Sequence, residues 1–120
     1  MDRNHASQLR QKLRDLRSQR DRIEEQLLEA RELVRGSLLL RYHLAGGKIR
    51  GNAAHYVCVR REDRRNQFIY VRKADLDRVR GYVEAYRRYR RGLSRLRILS
   101  REIVRGLDTL SEHLEVPVQP

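Results

Sequence analysis

Over two long stretches of this chain apolar residues recur at alternating intervals of four and three, and between them the rhythm drops to two. From about Ser7 to Arg35, the residues Leu9, Leu13, Leu16, Arg20, Ile23, Leu27, Ala30 and Val34 keep the first spacing. From about Ala74 to Glu115 it is kept by Val79, Tyr82, Tyr86, Tyr89, Leu93, Leu96, Ser100, Ile103, Leu107, Leu110 and Leu114. A seam of this kind belongs to a helix that packs on another helix. Glu24, Glu25, Glu29 and Glu32 among arginines give the first helix i,i+4 pairs, and Arg20 interrupts its seam. Asp75 and Asp77 suit the positive end of the second helix, and Pro117 follows its end. Gly81, Gly92 and Gly106 lie off that seam and each weaken the helix by about 1 kcal/mol.

Between the helices, His55–Arg60 and Gln67–Arg72 are rich in β-branched and aromatic residues and read as two strands, joined by the polar turn Arg61–Asn66. Alternation puts Val57, Val59, Ile69 and Val71 on one face and Tyr56, Cys58, Arg60, Phe68, Tyr70 and Arg72 on the other. Ser37–Leu44 is apolar and fits either a short strand or a helical turn. Gly46–Asn52, carrying Lys48 and Arg50, reads as a flexible basic loop.

The expected fold is mainly α: an antiparallel helical hairpin with a β-hairpin inserted at its tip. Its parts are a coiled-coil helix at 1–36, a basic β unit at 37–73, a long Tyr/Arg helix at 74–116 and a tail at 117–120. The first helix would be roughly 40 Å long and the second roughly 60 Å. On that arithmetic Ile103, Leu107, Leu110 and Leu114 remain uncovered and are candidates for self-association. A bent C-terminal end is the other way to account for them.

Charge narrows the function. The chain carries 28 Lys and Arg against 16 Asp and Glu, a net charge of +12 that calls for a polyanionic partner. Segment 37–73 holds nine basic and two acidic side chains, and Arg78–Arg97 holds eight Arg against Glu84 alone. Only Lys12, Lys48 and Lys73 are lysines. Arginine grips phosphate with a planar fork and stacks on bases, although base composition of a genome also favours it.

Other chemistries find little support. His5, His43, His55 and His113 are scattered, without a nucleophile and base at useful spacing. His55-x-x-Cys58 would point to opposite faces of a strand, and a single Cys leaves no disulfide and no cysteine-based zinc site. Gly46-Gly47-Lys48 is too short for a phosphate loop. No run approaches the length of a membrane span, and MDRNHASQLR lacks the apolar core of a secretory signal. The expectation is a cytoplasmic, non-enzymatic protein without cofactor, metal, membrane or small-molecule substrate.

Nucleic acid is the partner these residues fit. Tyr56, Phe68 and Tyr70 interleave with Arg60 and Arg72 on one hairpin face, able to stack bases and hold phosphates, or simply to pack across strands. Arg60, Arg61, Arg64 and Arg65 gather around one turn, with Lys48, Arg50 and Lys73 as further basic candidates. Arg87, Arg88, Arg91 and Arg95 lie on the second helix, where they could track a nucleic-acid backbone. Tyr82, Tyr86 and Tyr89 sit at seam spacing and read as packing residues.

The order of Gly36-Ser37-Leu38-Leu39-Leu40-Arg41-Tyr42, the Gly47-Lys48 loop, Tyr70-Val71-Arg72-Lys73 and Leu76-Asp77-Arg78-Val79 resembles a small uncharacterised domain family of bacteria and archaea, encoded near transposases and other mobile-element genes. The likeness covers about 34–96. Family members carry a cysteine-rich CGK-type segment where this chain has Leu44-Ala45-Gly46-Gly47-Lys48, so any metal site there would be lost. The resemblance implies a mobile-element setting, and it alone places DNA ahead of RNA. The function expected is that of a dimeric nucleic-acid-binding accessory to a larger machine. A protein–protein adaptor for an acidic partner is the alternative, and a binder of anionic membrane surfaces comes last.

Overall fold

The computed structural model describes residues 3–119, apart from the side chains of Arg3, His43, Leu44, Ala45, Ile49, Arg50 and Asn52. Its elements run α1 (Arg3–Leu28), β1 (Ser37–Ala45), β2 (Lys48–Arg60), β3 (Asn66–Val71), a single 3-10 turn (Lys73–Asp75) and α2 (Leu76–Leu114). Ala30–Tyr89 form one compact unit; α1 and the part of α2 beyond Tyr89 belong to a second.

The expected mainly helical hairpin carrying a two-stranded tip is therefore corrected. Helix α1 precedes and α2 follows a three-stranded antiparallel sheet of order β1-β2-β3, which makes the chain an α and β protein. Two local causes account for the difference. Ser37–Ala45 is a full strand, and the supposed flexible loop is a two-residue turn. Gly46 and Gly47 both take positive φ, 61° and 76°, the backbone that matches the twist of a tight hairpin and that side chains resist. The turn closes β1 on β2, which consequently begins at Lys48 rather than His55. Pairing slips once, between Arg41 and His43. The first helix also ends earlier than its spacing suggests, at Leu28, leaving Ala30 and Val34 outside it.

In the sheet unit, Val57 pairs with both Leu38 and Ile69, so these side chains share one face. Val57 and Val71 are buried there, and Val83, buried on α2, belongs to the same unit. Before β1 the chain passes over the first part of α2. The Val34 N–H donates to the Tyr82 carbonyl at 3.1 Å, and the Arg35 guanidinium lies 5.7 Å from the Tyr86 ring centre. The Tyr82 hydroxyl donates to Glu32; that bond, partial burial and the Glu32 charge push the phenol above its ordinary value, while Arg78 pulls the other way. Gly36 is required here by space. A Cβ at this position would stand 2.7 Å from the Cys58 carbonyl oxygen and 2.9 Å from Val57 Cγ1.

In the second unit, Leu13, Leu16, Leu99 and Ile103 form the core, with Leu9, Ile23 and Leu110 against it. Leu99 is wholly enclosed. A Cβ on Gly106 would fall against Leu13 and one on Gly92 against Leu27, so α1 and this part of α2 run in opposite directions. The α1 seam is the expected one, extended back to Ala6. The α2 seam is displaced. Gly92, Leu99, Ile103, Gly106 and Leu110 face α1, whereas Ser100 and Leu107 had been expected where Leu99 and Gly106 lie. The two glycines assigned off the seam are the seats into which α1 leucines fit. At Arg20 the seam is poorly satisfied: its Nε is buried with no hydrogen-bond partner among the described residues.

Candidate nucleic-acid interface

The hairpin between β2 and β3 is closed by main-chain bonds. The Arg61 N–H donates to the Arg65 carbonyl and the Arg64 N–H to the Arg61 carbonyl, each at 2.9 Å. Asp63 accepts from the Arg65 N–H at 3.0 Å, and the Arg61 guanidinium bonds Gln67. Arg64 sits in the left-handed region at φ 65°, where three-residue hairpin loops ordinarily place glycine. The result is a short, defined turn that holds Arg60, Arg61, Arg64 and Arg65 out in solvent.

The register carries this charge onto one sheet face. Ser37 pairs with Cys58 and Cys58 with Phe68; Leu39 pairs with Tyr56 and Tyr56 with Tyr70; Arg60 pairs with Asn66. These side chains share the face opposite Val57. At its centre the Tyr56 and Tyr70 rings meet edge to face, 5.8 Å between centres. Arg41 reaches over the same face, its guanidinium carbon 4.0 Å from the Phe68 ring centre and 5.9 Å from that of Tyr56. Phe68 remains 39% exposed and Tyr70 59%. At the hairpin end of the same face, a groove of about 580 Å³ is lined by Arg35, Ser37, Cys58, Arg60, Arg61 and Asn66, together with Gly36, Glu62 and Tyr86.

The remaining candidates fall elsewhere. Arg72 does not join the aromatic face. It follows the end of β3, donates to Asp75 at 3.1 Å, and lines a groove with Val59, Val71 and Val79 on the other side of the sheet. Asp75 also accepts from Arg78 at 3.1 Å, so this carboxylate already engages two guanidiniums. Lys73 is exposed in the 3-10 turn, and Lys48 is exposed at the start of β2. The side chain of Arg50 lies outside the described residues. Arg87 and Arg88 are exposed on the sheet unit's portion of α2; Arg91 and Arg95 are exposed on the portion belonging to the two-helix unit.

Of the residues expected to seek a second chain, Ile103 is 8% exposed within the protein's own core and Leu110 packs against that core. The length argument fails because α1 starts by Arg3, and Leu13 reaches Gly106. Leu107 and Leu114 remain about half exposed.

Two contributors went unnoticed in the sequence. Arg41 lay in the undecided segment 37–44; treated as a strand, alternation from Leu39 would have placed it beside Tyr56. Arg35 had been counted within the first helix. Among the described residues no three His, Cys, Asp or Glu side chains come together as a metal site, and no helix is long and apolar enough to cross a membrane. No protein-family model matches the chain, and neither a curated protein nor a solved structure is significantly similar to it.

Proposed function

We propose that this protein binds nucleic acid without catalysing a reaction on it, gripping phosphates through the β2–β3 hairpin. The observation that carries this is the turn itself. Four arginines stand on a backbone closed by three hydrogen bonds, one of them from Arg65 to Asp63, and two of the four, Arg60 and Arg61, line a groove to which Arg35 adds a further guanidinium. A turn closed in this way loses little backbone freedom when a phosphate arrives. The neighbouring acids, Glu62 and Asp63, leave a clear positive excess. A contact of this type reads charge more than sequence, so discrimination between sequences should be weak. Replacing Arg60, Arg61, Arg64 and Arg65 together with Glu tests it. Binding to duplex DNA, single-stranded DNA and structured RNA should all be lost while circular dichroism is unchanged; retention of binding to any of them would refute the hairpin's role.

A second reading draws on α2. Val104, Leu107 and Leu114 are spaced by three and seven residues and are 67%, 52% and 49% exposed, a strip suited to another helix. It would make the protein a self-associating or adaptor coiled coil. Light scattering of the protein and of a Val104→Ser, Leu107→Ser variant distinguishes the cases: a mass that falls on substitution supports this reading, and a monomer in both removes its self-associating form.

A further inference from the structure

We infer that the aromatic face of the sheet receives unpaired bases, so that the protein prefers single-stranded nucleic acid to duplex. The inference rests on the nucleic-acid reading above and specifies its substrate. A sheet in a small protein buries one face and turns polar residues to solvent on the other. Here one face holds the buried Val57 and Val71 beside the more open Ile69 and Leu40, and the other face, instead of being polar, carries half-buried Tyr56 with exposed Phe68 and Tyr70. Tyr70, 59% exposed, is not serving as core, and Phe68 beside it is open over 39% of its surface. They stand two residues apart on one strand, about 6.8 Å along it. The Arg41 guanidinium carbon stands over Phe68, 4.0 Å from its ring centre, and adds a cation able to stack on a base to the same surface.

Position supplies the second part of the argument. Cys58, directly opposite Phe68, also lines the arginine groove, so the stacking surface and the phosphate-binding end adjoin on one face. A strand with bases on Phe68 and Tyr70 would carry its next phosphates towards Arg60, Arg61 and Arg35. Duplex DNA cannot use this arrangement, because its base faces are stacked on one another and only edges are presented in the grooves. Unpaired bases offer a face to any aromatic ring, with little regard to sequence.

The test compares labelled strands of one length by fluorescence anisotropy: oligo-dT, oligo-rU, an abasic deoxyribose-phosphate strand and a DNA duplex. Even one stacked base predicts that dT or rU binds about 5- to 150-fold more tightly than the abasic strand, and a second base adds to this. The stronger of the two identifies the sugar. Tyr70→Leu should bring the base-bearing strands towards the abasic value and leave the abasic strand unaffected. Phe68→Leu, which keeps an apolar side chain beneath Arg41, should act in the same way. Equal affinity for abasic and base-bearing strands, or tighter binding of duplex, overturns the inference but leaves phosphate binding standing. No binding to any of the four overturns both.

Discussion

Three glycines of α2 meet three different surroundings, and substituting each with alanine tests the packing of the two-helix unit and of α2 as a whole. In an open helix the change gains about 1 kcal/mol, because alanine restricts the unfolded chain and glycine does not. Gly81 should show that full gain, since beyond its own helical backbone and chain neighbours nothing lies within 4 Å of the position a Cβ would take. Gly106 is the opposite case. Its Cβ would fall 3.3 Å from Leu13 Cγ, and closer still to one Leu13 methyl. Leu13 is buried among Leu16, Leu99 and Ile103, and would have to give up part of that packing to make way. Overpacking of this kind costs about 1–3 kcal/mol, so the net change should be a loss of about 1 kcal/mol. Gly92 lies between, because Leu27 stands 2.9 Å from its Cβ position but is only half buried and free to rotate. Urea unfolding followed by far-UV circular dichroism should therefore rank Gly81→Ala above the parent and Gly106→Ala below it. A spread of about 2 kcal/mol separates the midpoints by roughly 1 M. Equal gains at Gly81 and Gly106 would mean that Leu13 does not sit on Gly106, and the displaced seam would be wrong.

Other expectations follow from single side chains. Leu99→Ala empties the one fully enclosed position among the described residues and should cost about 3–5 kcal/mol in the same urea assay; a loss below about 1 kcal/mol would deny that this leucine anchors the unit. Arg64→Gly relieves a side chain held at positive φ, and should raise stability by about 1 kcal/mol while weakening nucleic-acid binding several-fold in anisotropy titrations. Tyr82 has a raised folded pKa, so its bond to Glu32 contributes stability below the unfolded value of 10.0, and that contribution is lost as pH rises through the folded value. Urea midpoints measured on both sides of that range should fall more steeply for the parent than for Tyr82→Phe; parallel curves would deny the coupling.

What was legible in the sequence depended on whether a residue's role leaves an apolar signal. From Leu9 to Leu27 the α1 seam is mostly leucine and is legible, whereas Ala30 and Val34 keep its spacing but lie beyond the helix end at Leu28. In α2 the same method chose Ser100 and Leu107 in place of Leu99 and Gly106, because a glycine that admits a neighbouring leucine adds nothing to a hydrophobic count. Val83 was passed over in favour of Tyr82 and Tyr86, whose rings instead hold the chain entering β1. The two faces of the β2–β3 hairpin were correctly divided by alternation, since each carries a distinct chemistry. The third strand was obscured by the glycines and basic residues of 46–52, although adjacent glycines are themselves a hairpin signal. Arg41 was lost with it. Arg72 shows the limit of alternation, which holds only while the strand continues; past Val71 the pull of Asp75 decides where the side chain goes.

The central claim is that the hairpin arginines grip phosphate, and its most direct measure is the salt dependence of affinity. With Arg60, Arg61, Arg64 and Arg65 each neutralising one phosphate, raising salt from about 50 to about 200 mM should weaken binding roughly 50-fold for a single strand and roughly 150-fold for a duplex. An anisotropy titration of each at both concentrations should show falls of that order. Affinity that holds constant across the range, or no binding at the lower salt, would contradict the account.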